Sequence, residues 1–323
     1  MKSMRDNSIL WIALIVCITI FCYRPVLKSD FINWDDNWHL TGLVDVQSLS
    51  AEHIKNIFSS AVNLTYIPLT ILSFAIEYHF CKLNPFVYHL DNLFLHLGVV
   101  ILIFFFALHL GLTKRAAGLA ALLFAIHPMH VESIAWVTER KDTLYASFYM
   151  LALLCYMRYI EQCRGKFIFY ILSIIFGLLS MLAKPMALSL PLIFFLLDWF
   201  KRRRFSIWIL AEKIPYVLYI EPLAGLNFSL NLKTFSAVFD PLNNLLIYIW
   251  TFTFYPVKFI FPCELIPIYF IPKPVAPFNG NYAWSIIVFI IVVWALVRYH
   301  RNRLWIFSVG FYFFSIFFLS SSF

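Results

Sequence analysis

The chain has 323 residues, 62% of them hydrophobic and only 13% charged, with a formal net charge of +8. That is far too apolar for a soluble domain of this length, and it points to an all-α, polytopic membrane protein. The Lys and Arg residues are spread along the chain without a compact basic patch, which speaks against a nucleic-acid partner and makes them topology markers.

Lys2 and Arg5 precede a long apolar run with no small-residue cleavage site, which reads as a retained signal anchor. Asn7 to Tyr23 is the first predicted span, with Arg24 able to snorkel at its far end. Residues 28–91 read as one long outer loop. Within it, Ser50 to Ser59 has the pattern of a short amphipathic helix, with Ile54, Ile57 and Phe58 on one face. Tyr66 to Phe80 is apolar but interrupted by Pro68 and Glu77, and is expected to lie in the membrane interface. Asn92 to Thr113 is a strong second span.

Ala116 to Val131 then crosses outward, Glu132 to Asp142 forms a short outer loop, and Thr143 to Met157 returns. Phe167 to Ala183 goes out, and Pro185 to Phe200 comes back to Lys201-Arg202-Arg203-Arg204, the clearest inside marker. Arg158, Arg164 and Lys166 mark the same side. Ile214 to Leu232 contains Glu221, Pro222 and Gly225 and is a poor span; Pro241 to Val257 is a better one. One of these two is expected to be re-entrant or in-plane, which needs protein cover for its backbone. A proline-rich loop at 262–277 precedes the spans Tyr282 to Val297 and Leu304 to Phe323. The expectation is a single membrane domain over residues 1–323, a helical bundle of about nine transmembrane helices. With the N-terminus cytoplasmic, fifteen of the 25 Lys and Arg residues fall inside and ten outside. No internal repeat is visible, which counts against a secondary transporter. The last span ends at Phe323 without a polar tail, as in the front part of a longer chain.

Chemistry concentrates on the outer face. Asp30 to His39 follows the first span and holds Asp35 and Asp36 between Trp34 and Trp38. Two adjacent carboxylates resist ionising together, which suits one of them to the role of a general base. The plainer reading is a solvated loop with interface tryptophans. His127, His130 and Glu132 lie within six residues and could ligate a metal, but the spacing is not a standard zinc signature. No metal site is assigned to them, and a divalent metal is left open. The six cysteines are scattered without a CxxC pair, so neither a zinc site nor a disulfide framework is expected. Arg140, Lys141, Lys184 and Arg24 are basic residues on the outer side, against the usual bias, so each suggests a local anion: a lipid phosphate or an acidic side chain. For Arg140 the acidic alternatives are Asp142 and Glu139. The sequons at Asn63 and Asn227 carry no argument.

Several stretches resemble one family. They are Asn33-Trp34-Asp35-Asp36, Tyr66-Ile67-Pro68-Leu69-Thr70, Asn84 through Leu93, His127-Pro128 through Arg140-Lys141-Asp142, and Ala183-Lys184-Pro185-Met186 ending at Leu197-Asp198-Trp199. Together they resemble the TMTC-like membrane family with C-terminal tetratricopeptide repeats, whose animal members are O-mannosyltransferases. The Lys-Pro-Met version resembles the bacterial branch, which implies a bacterial inner membrane. The resemblance implies a GT-C glycosyltransferase architecture, with repeats following beyond residue 323. It also implies transfer of a sugar, mannose being one candidate, from a polyprenyl phosphate to protein Ser or Thr hydroxyls on the non-cytoplasmic face. One of Asp35 and Asp36 would be the base, and Arg140, Lys141, Lys184 and Arg24 would hold the donor phosphate. Trp34, Trp38, His127, His130 and Glu132 would contact sugar or acceptor. A shared pocket would bring Asp35 or Asp36 within roughly ten ångströms of Arg140 or Lys141. The alternatives are a non-catalytic anchor presenting repeats to protein partners, and a lipid-sugar flippase.

The basic bias generates a direct test. Cysteine labelling at Asn37 is expected only from the non-cytoplasmic side, and at Ser206 only from the cytoplasmic side. Labelling of both from one side overturns the topology.

Overall fold

A computed structural model describes residues 2–161, 166–235 and 241–319. Arg164, residues 236–240 and the end of the last predicted span from residue 320 lie outside them. The described residues are helical, with one isolated antiparallel bridge, Val62 to Thr65, and no strand. The helices are α1 (Lys2–Tyr23), α2 (Ala51–Ser59), α3 (Pro68–Cys81), α4 (Pro85–His109), α5 (Lys114–Ile126), α6 (Val131–Ala135), α7 (Arg140–Glu161), α8 (Lys166–Ala183), α9 (Leu190–Phe200), α10 (Ile207–Ala211), α11 (Ile214–Phe235), α12 (Pro241–Ile260), α13 (Gly280–Arg298) and α14 (Arg303–Leu319).

Among the described residues, four segments are long and apolar enough to cross a membrane: Ser8–Lys28, Pro85–His109, Lys166–Ala183 and Gly280–Arg298. A fifth is obtained if Lys114–Ile126 and Pro128–Ala135, bent by 52°, count as one span. The bend falls at Pro128, whose ring cannot continue the helix. The chain is a multi-pass membrane protein on this evidence.

The chain divides into two compact units. The first comprises Met1–Ala187 with Pro215–Leu230, and the second Leu188–Ile214 with Asn231–Phe323. In the second unit, α9 packs on α14, and α12 on α13 and α14. A buried charge cluster closes the end of α9: Lys213 Nζ lies 2.6 Å from Asp198, and Arg203 bridges Asp198 and Glu212 at 2.8 Å.

The first unit has an apolar core at span level, where Ile15 of α1 meets Val100, Phe104 and Ala107 of α4 and Ala117, Ala121 and Ala125 of α5. Small residues let these backbones approach closely. At Gly118 the approach is closest, since a Cβ there would stand 2.5 Å from the Trp11 ring. The predicted outer loop builds a second core from Leu40, Val46, Ile57, Ile67, Ile71, Phe74, Tyr88 and Val137. Its small helix α2 is capped by the Ser50 hydroxyl, which accepts from His53 N at 3.4 Å. Asp45 accepts from His53 Nδ1 at 2.9 Å and Asn56 Nδ2 at 3.1 Å, pinning α2 to the preceding turn.

Three boundaries differ from the sequence expectation. Pro68 does not interrupt its helix but starts it at the first position, where its missing N–H costs nothing. The second span begins at Pro85, so the last seven residues of the expected loop 28–91 are helix. Residues 132–142 are not an open loop: α6 is followed by a 3₁₀ turn, Val137–Glu139, and α7 opens at Arg140.

Glu77 and Arg140 explain why these elements hold. Arg140 is fully buried, and its guanidinium donates to Glu77, to Asn92 Oδ1 at 2.8 Å and to the Tyr88 carbonyl at 2.9 Å. Phe74 covers it, 4.7 Å from guanidinium carbon to ring centroid. One cation thus joins α3, α4 and α7. Burial pushes the Glu77 carboxyl up to about 7, with the guanidinium pulling the other way. Removing one partner of such a pair leaves an uncompensated buried charge, so Arg140→Ala is expected to cost about 3–5 kcal/mol. Thermal unfolding in detergent checks it; an unchanged midpoint would refute the anchoring role.

Candidate functional site

The two acidic residues of the turn after α1 behave as opposites. Asp36 is 1% exposed. Its carboxylate accepts from Thr138 N at 3.0 Å, Thr138 Oγ1 at 2.7 Å and Ile32 N at 2.8 Å. It is spent as a fastener between the turn after α1 and the turn before α7. Asp35 keeps part of its surface open, and its Oδ2 lies 3.6 Å from Lys141 Nζ. That is within the separation expected for a shared pocket. His39 lies beneath this turn, its Nδ1 hydrogen-bonded to the Asp35 carbonyl at 3.0 Å. Burial lowers the pKa of His39, which keeps the ring neutral near pH 7.

Lys141 also contacts Glu139 Oε1 at 2.7 Å. Burial pushes the Glu139 carboxyl up to about 7, aided by the charge of Asp142 and opposed by Lys141 and Lys184. Beside it, Lys184 pairs with Asp142, whose Oδ2 accepts from Ser133 Oγ at 3.3 Å. The site is therefore two short strings: Asp35–Lys141–Glu139, which alternates in charge, and the Lys184–Asp142 ion pair with the Ser133 hydroxyl donating to it.

The structure separates the expected phosphate contacts. Lys141 and Lys184 are half-buried at the strings. Arg140 is not there: its donors go to Glu77, Asn92 and Tyr88, and neither Asp142 nor Glu139 is its partner. Arg24 is exposed on the 3₁₀ turn Arg24–Lys28. Trp38 is exposed, and Trp34 stacks on Trp136 with centroids 5.3 Å apart, leaving its other face open. Glu132 is exposed, within electrostatic reach of Asp142 and Lys184.

His127 and His130 are drawn elsewhere. His127 is buried and its Nδ1 accepts from Met129 N at 3.3 Å, capping the turn at Pro128. His130 packs on Phe124, centroids 4.0 Å apart, and faces His96 at 5.9 Å. His96 in turn donates to the Ala125 carbonyl at 2.9 Å. Among the described residues, no three His, Cys, Asp or Glu side chains converge as a metal site.

Sequence reasoning missed Thr138, Asn92 and Trp136. Asn92 donates to the Trp136 and Val137 carbonyls at 3.3 Å and shapes the turn that carries Thr138. A lone asparagine or threonine gives no signal of this kind. Glu77, a single acid in an apolar helix, carries such a signal, since it calls for a buried partner, but in the sequence it reads only as an interruption.

The fastening role of Asp36 can be tested at its far end. Thr138→Val removes one donor to a buried carboxylate and is expected to cost about 1–3 kcal/mol. A thermal midpoint equal to wild type would show that the fastening carries no stability.

No family model matches the chain, and no solved structure matches it. Curated relatives do. Protein O-mannosyl-transferase TMTC1 of Mus musculus is 30% identical over 195 residues, covering 55% of this chain and 21% of the relative. Protein O-mannosyl-transferase TMTC4 of Homo sapiens is 28% identical over 232 residues, 63% of this chain and 31% of the relative. Protein O-mannosyl-transferase TMTC3 of Mus musculus is 32% identical over 167 residues, 48% of this chain and 18% of the relative. The chain thus spans between about a fifth and a third of these relatives. Its apolar helices make the chain a multi-pass membrane protein, and over about half its length it is similar to these TMTC proteins.

Proposed function

We propose that this chain is the membrane part of a GT-C-type glycosyltransferase. It moves a sugar, mannose being the candidate, from a polyprenyl phosphate to Ser or Thr hydroxyls of a protein on the non-cytoplasmic face. One observation carries the reading: a partly open carboxylate, Asp35, 3.6 Å from an ammonium, Lys141, with a second ion pair beside them. The relatives' names support the reaction class.

Attack of a hydroxyl on an anomeric carbon needs a base on the acceptor side and cations on the leaving phosphate. Asp35 is the base, because Asp36 has its lone pairs occupied by Thr138 and Ile32. Lys141 and Lys184 receive the phosphate, and exposed Arg24 adds a third contact. Arg140 holds the α7 end in place and does not touch the donor. Trp34 and Trp38 offer ring faces to sugar or acceptor, and Glu132 lines the acceptor side. When the phosphate takes Lys141, Asp35 loses its counter-ion and is freed to accept the proton. The leaving group is already a weakly basic anion, so no general acid is required. The GT-C architecture of about nine spans, with a single membrane domain over 1–323, is part of this proposal.

Asp35→Asn is expected to lower turnover of labelled polyprenyl-phosphate sugar by about a hundredfold, the scale of a lost general base. Asp36→Asn should act chiefly on stability. If Asp35→Asn membranes keep wild-type turnover, the base lies elsewhere or the chain is an anchor.

Donor binding should also depend on pH. Glu139 competes for Lys141 only when ionised. Below about 7 it is neutral and Lys141 is released to the phosphate. Donor affinity is therefore expected to fall as pH rises through about 7, and Glu139→Gln should flatten the fall. Equilibrium binding of a polyprenyl phosphate between pH 5.5 and 8.5 checks this (a range set roughly one and a half units either side of that value).

A further inference from the structure

A groove of about 690 Å³ lies between the middle of α1 and the start of α5. It is lined by Leu10, Trp11 and Leu14 on α1 and by Thr113, Lys114 and Arg115 on the other wall. The Gly118–Trp11 contact closes the helix pair beside it. Leu10 and Leu14 are 67% and 49% exposed, so one wall is open apolar surface. The other wall carries two adjacent cations, and neither has an acidic partner among the described residues. The Thr113 hydroxyl accepts from Ala116 N at 3.3 Å, which starts α5 here and leaves its other first-turn amides open.

We propose that this groove is a binding site for one anionic phospholipid. Its phosphate lies against Lys114, Arg115 and the first turn of α5, and an acyl chain runs along Leu10, Trp11 and Leu14. Charge complementarity selects the occupant. A zwitterionic lipid brings its own ammonium to a place that already holds two cations, whereas phosphatidylglycerol brings only the anion. The helix start favours negative charge in the same spot. The apolar wall distinguishes a lipid from a free phosphate, which has nothing to place there. This site is separate from the strings around Asp35 and needs nothing from the proposed transfer reaction.

The test uses the purified chain in nanodiscs of phosphatidylcholine and phosphatidylglycerol, with lipids retained after detergent extraction read by native mass spectrometry. Phosphatidylglycerol is expected to be retained over phosphatidylcholine. K114Q/R115Q should cut the retained phosphatidylglycerol by roughly tenfold or more, given the strength of two surface cations toward anionic lipid. Leu14→Trp keeps both charges and fills the groove, and should also reduce retention; it serves if the charge variant fails to insert. Equal retention of the two lipids overturns the proposal, as does a phosphatidylglycerol preference that survives Leu14→Trp. Displacement of the lipid by millimolar inorganic phosphate would show a plain anion site and overturn it too.

Discussion

A buried guanidinium is the constraint on which the first unit depends. Taking a cation out of water costs several kilocalories per mole unless the site supplies full compensation. Arg140 obtains it from a carboxylate on α3, an amide oxygen and a backbone carbonyl on α4, and an aromatic face. Each partner sits on an element that the sequence separates widely. The requirement to satisfy one charge therefore fixes the mutual placement of three helices, and the turn just before Arg140 follows. That turn carries Thr138 and Glu139, so the geometry around Asp35 and Lys141 is inherited from a charge that the proposed reaction does not use.

Apolar runs made α1, α4, α8 and α13 legible, because a span-length hydrophobic stretch has few alternatives. Helix starts were harder. Pro68 and Pro85 both stand at a first helical position, yet Pro68 resembles an interruption when the residues before it are also apolar. Residues 85–91 looked polar enough for a loop. Their polar groups are paired or buried instead, as with the Tyr88 carbonyl, and that depends on a partner dozens of residues away.

The site divides in the same manner. That an acid after the first span would come close to a base at the start of α7 was legible, and Asp35 does meet Lys141. Which member of each pair faces the site was not. Asp35 and Asp36 are chemically identical in the sequence, as are the cationic roles of Arg140 and Lys141. Long-range hydrogen bonds break both ties, sending Asp36 to Thr138 and Arg140 to Glu77. The histidine pair shows the reverse outcome. His130 is held by the ring of Phe124, and a motif suggestive of ligands is here an aromatic packing device.

The fastening of Asp36 to Thr138 spans 102 residues. At ribosomal speeds of about 5–20 residues per second, the second partner emerges roughly five to twenty seconds after the first. Throughout that interval the Asp36 carboxylate stays in water, and Asp35 has no lysine beside it. The early turn cannot mature on its own, because the partners of Asp36 and Asp35, Thr138 and Lys141, lie more than a hundred residues downstream. The chain therefore completes this charged cluster late, only once Thr138 and Lys141 have been made. Until the start of α7 is made, the acidic turn lacks the partners that bury Asp36 and pair Asp35.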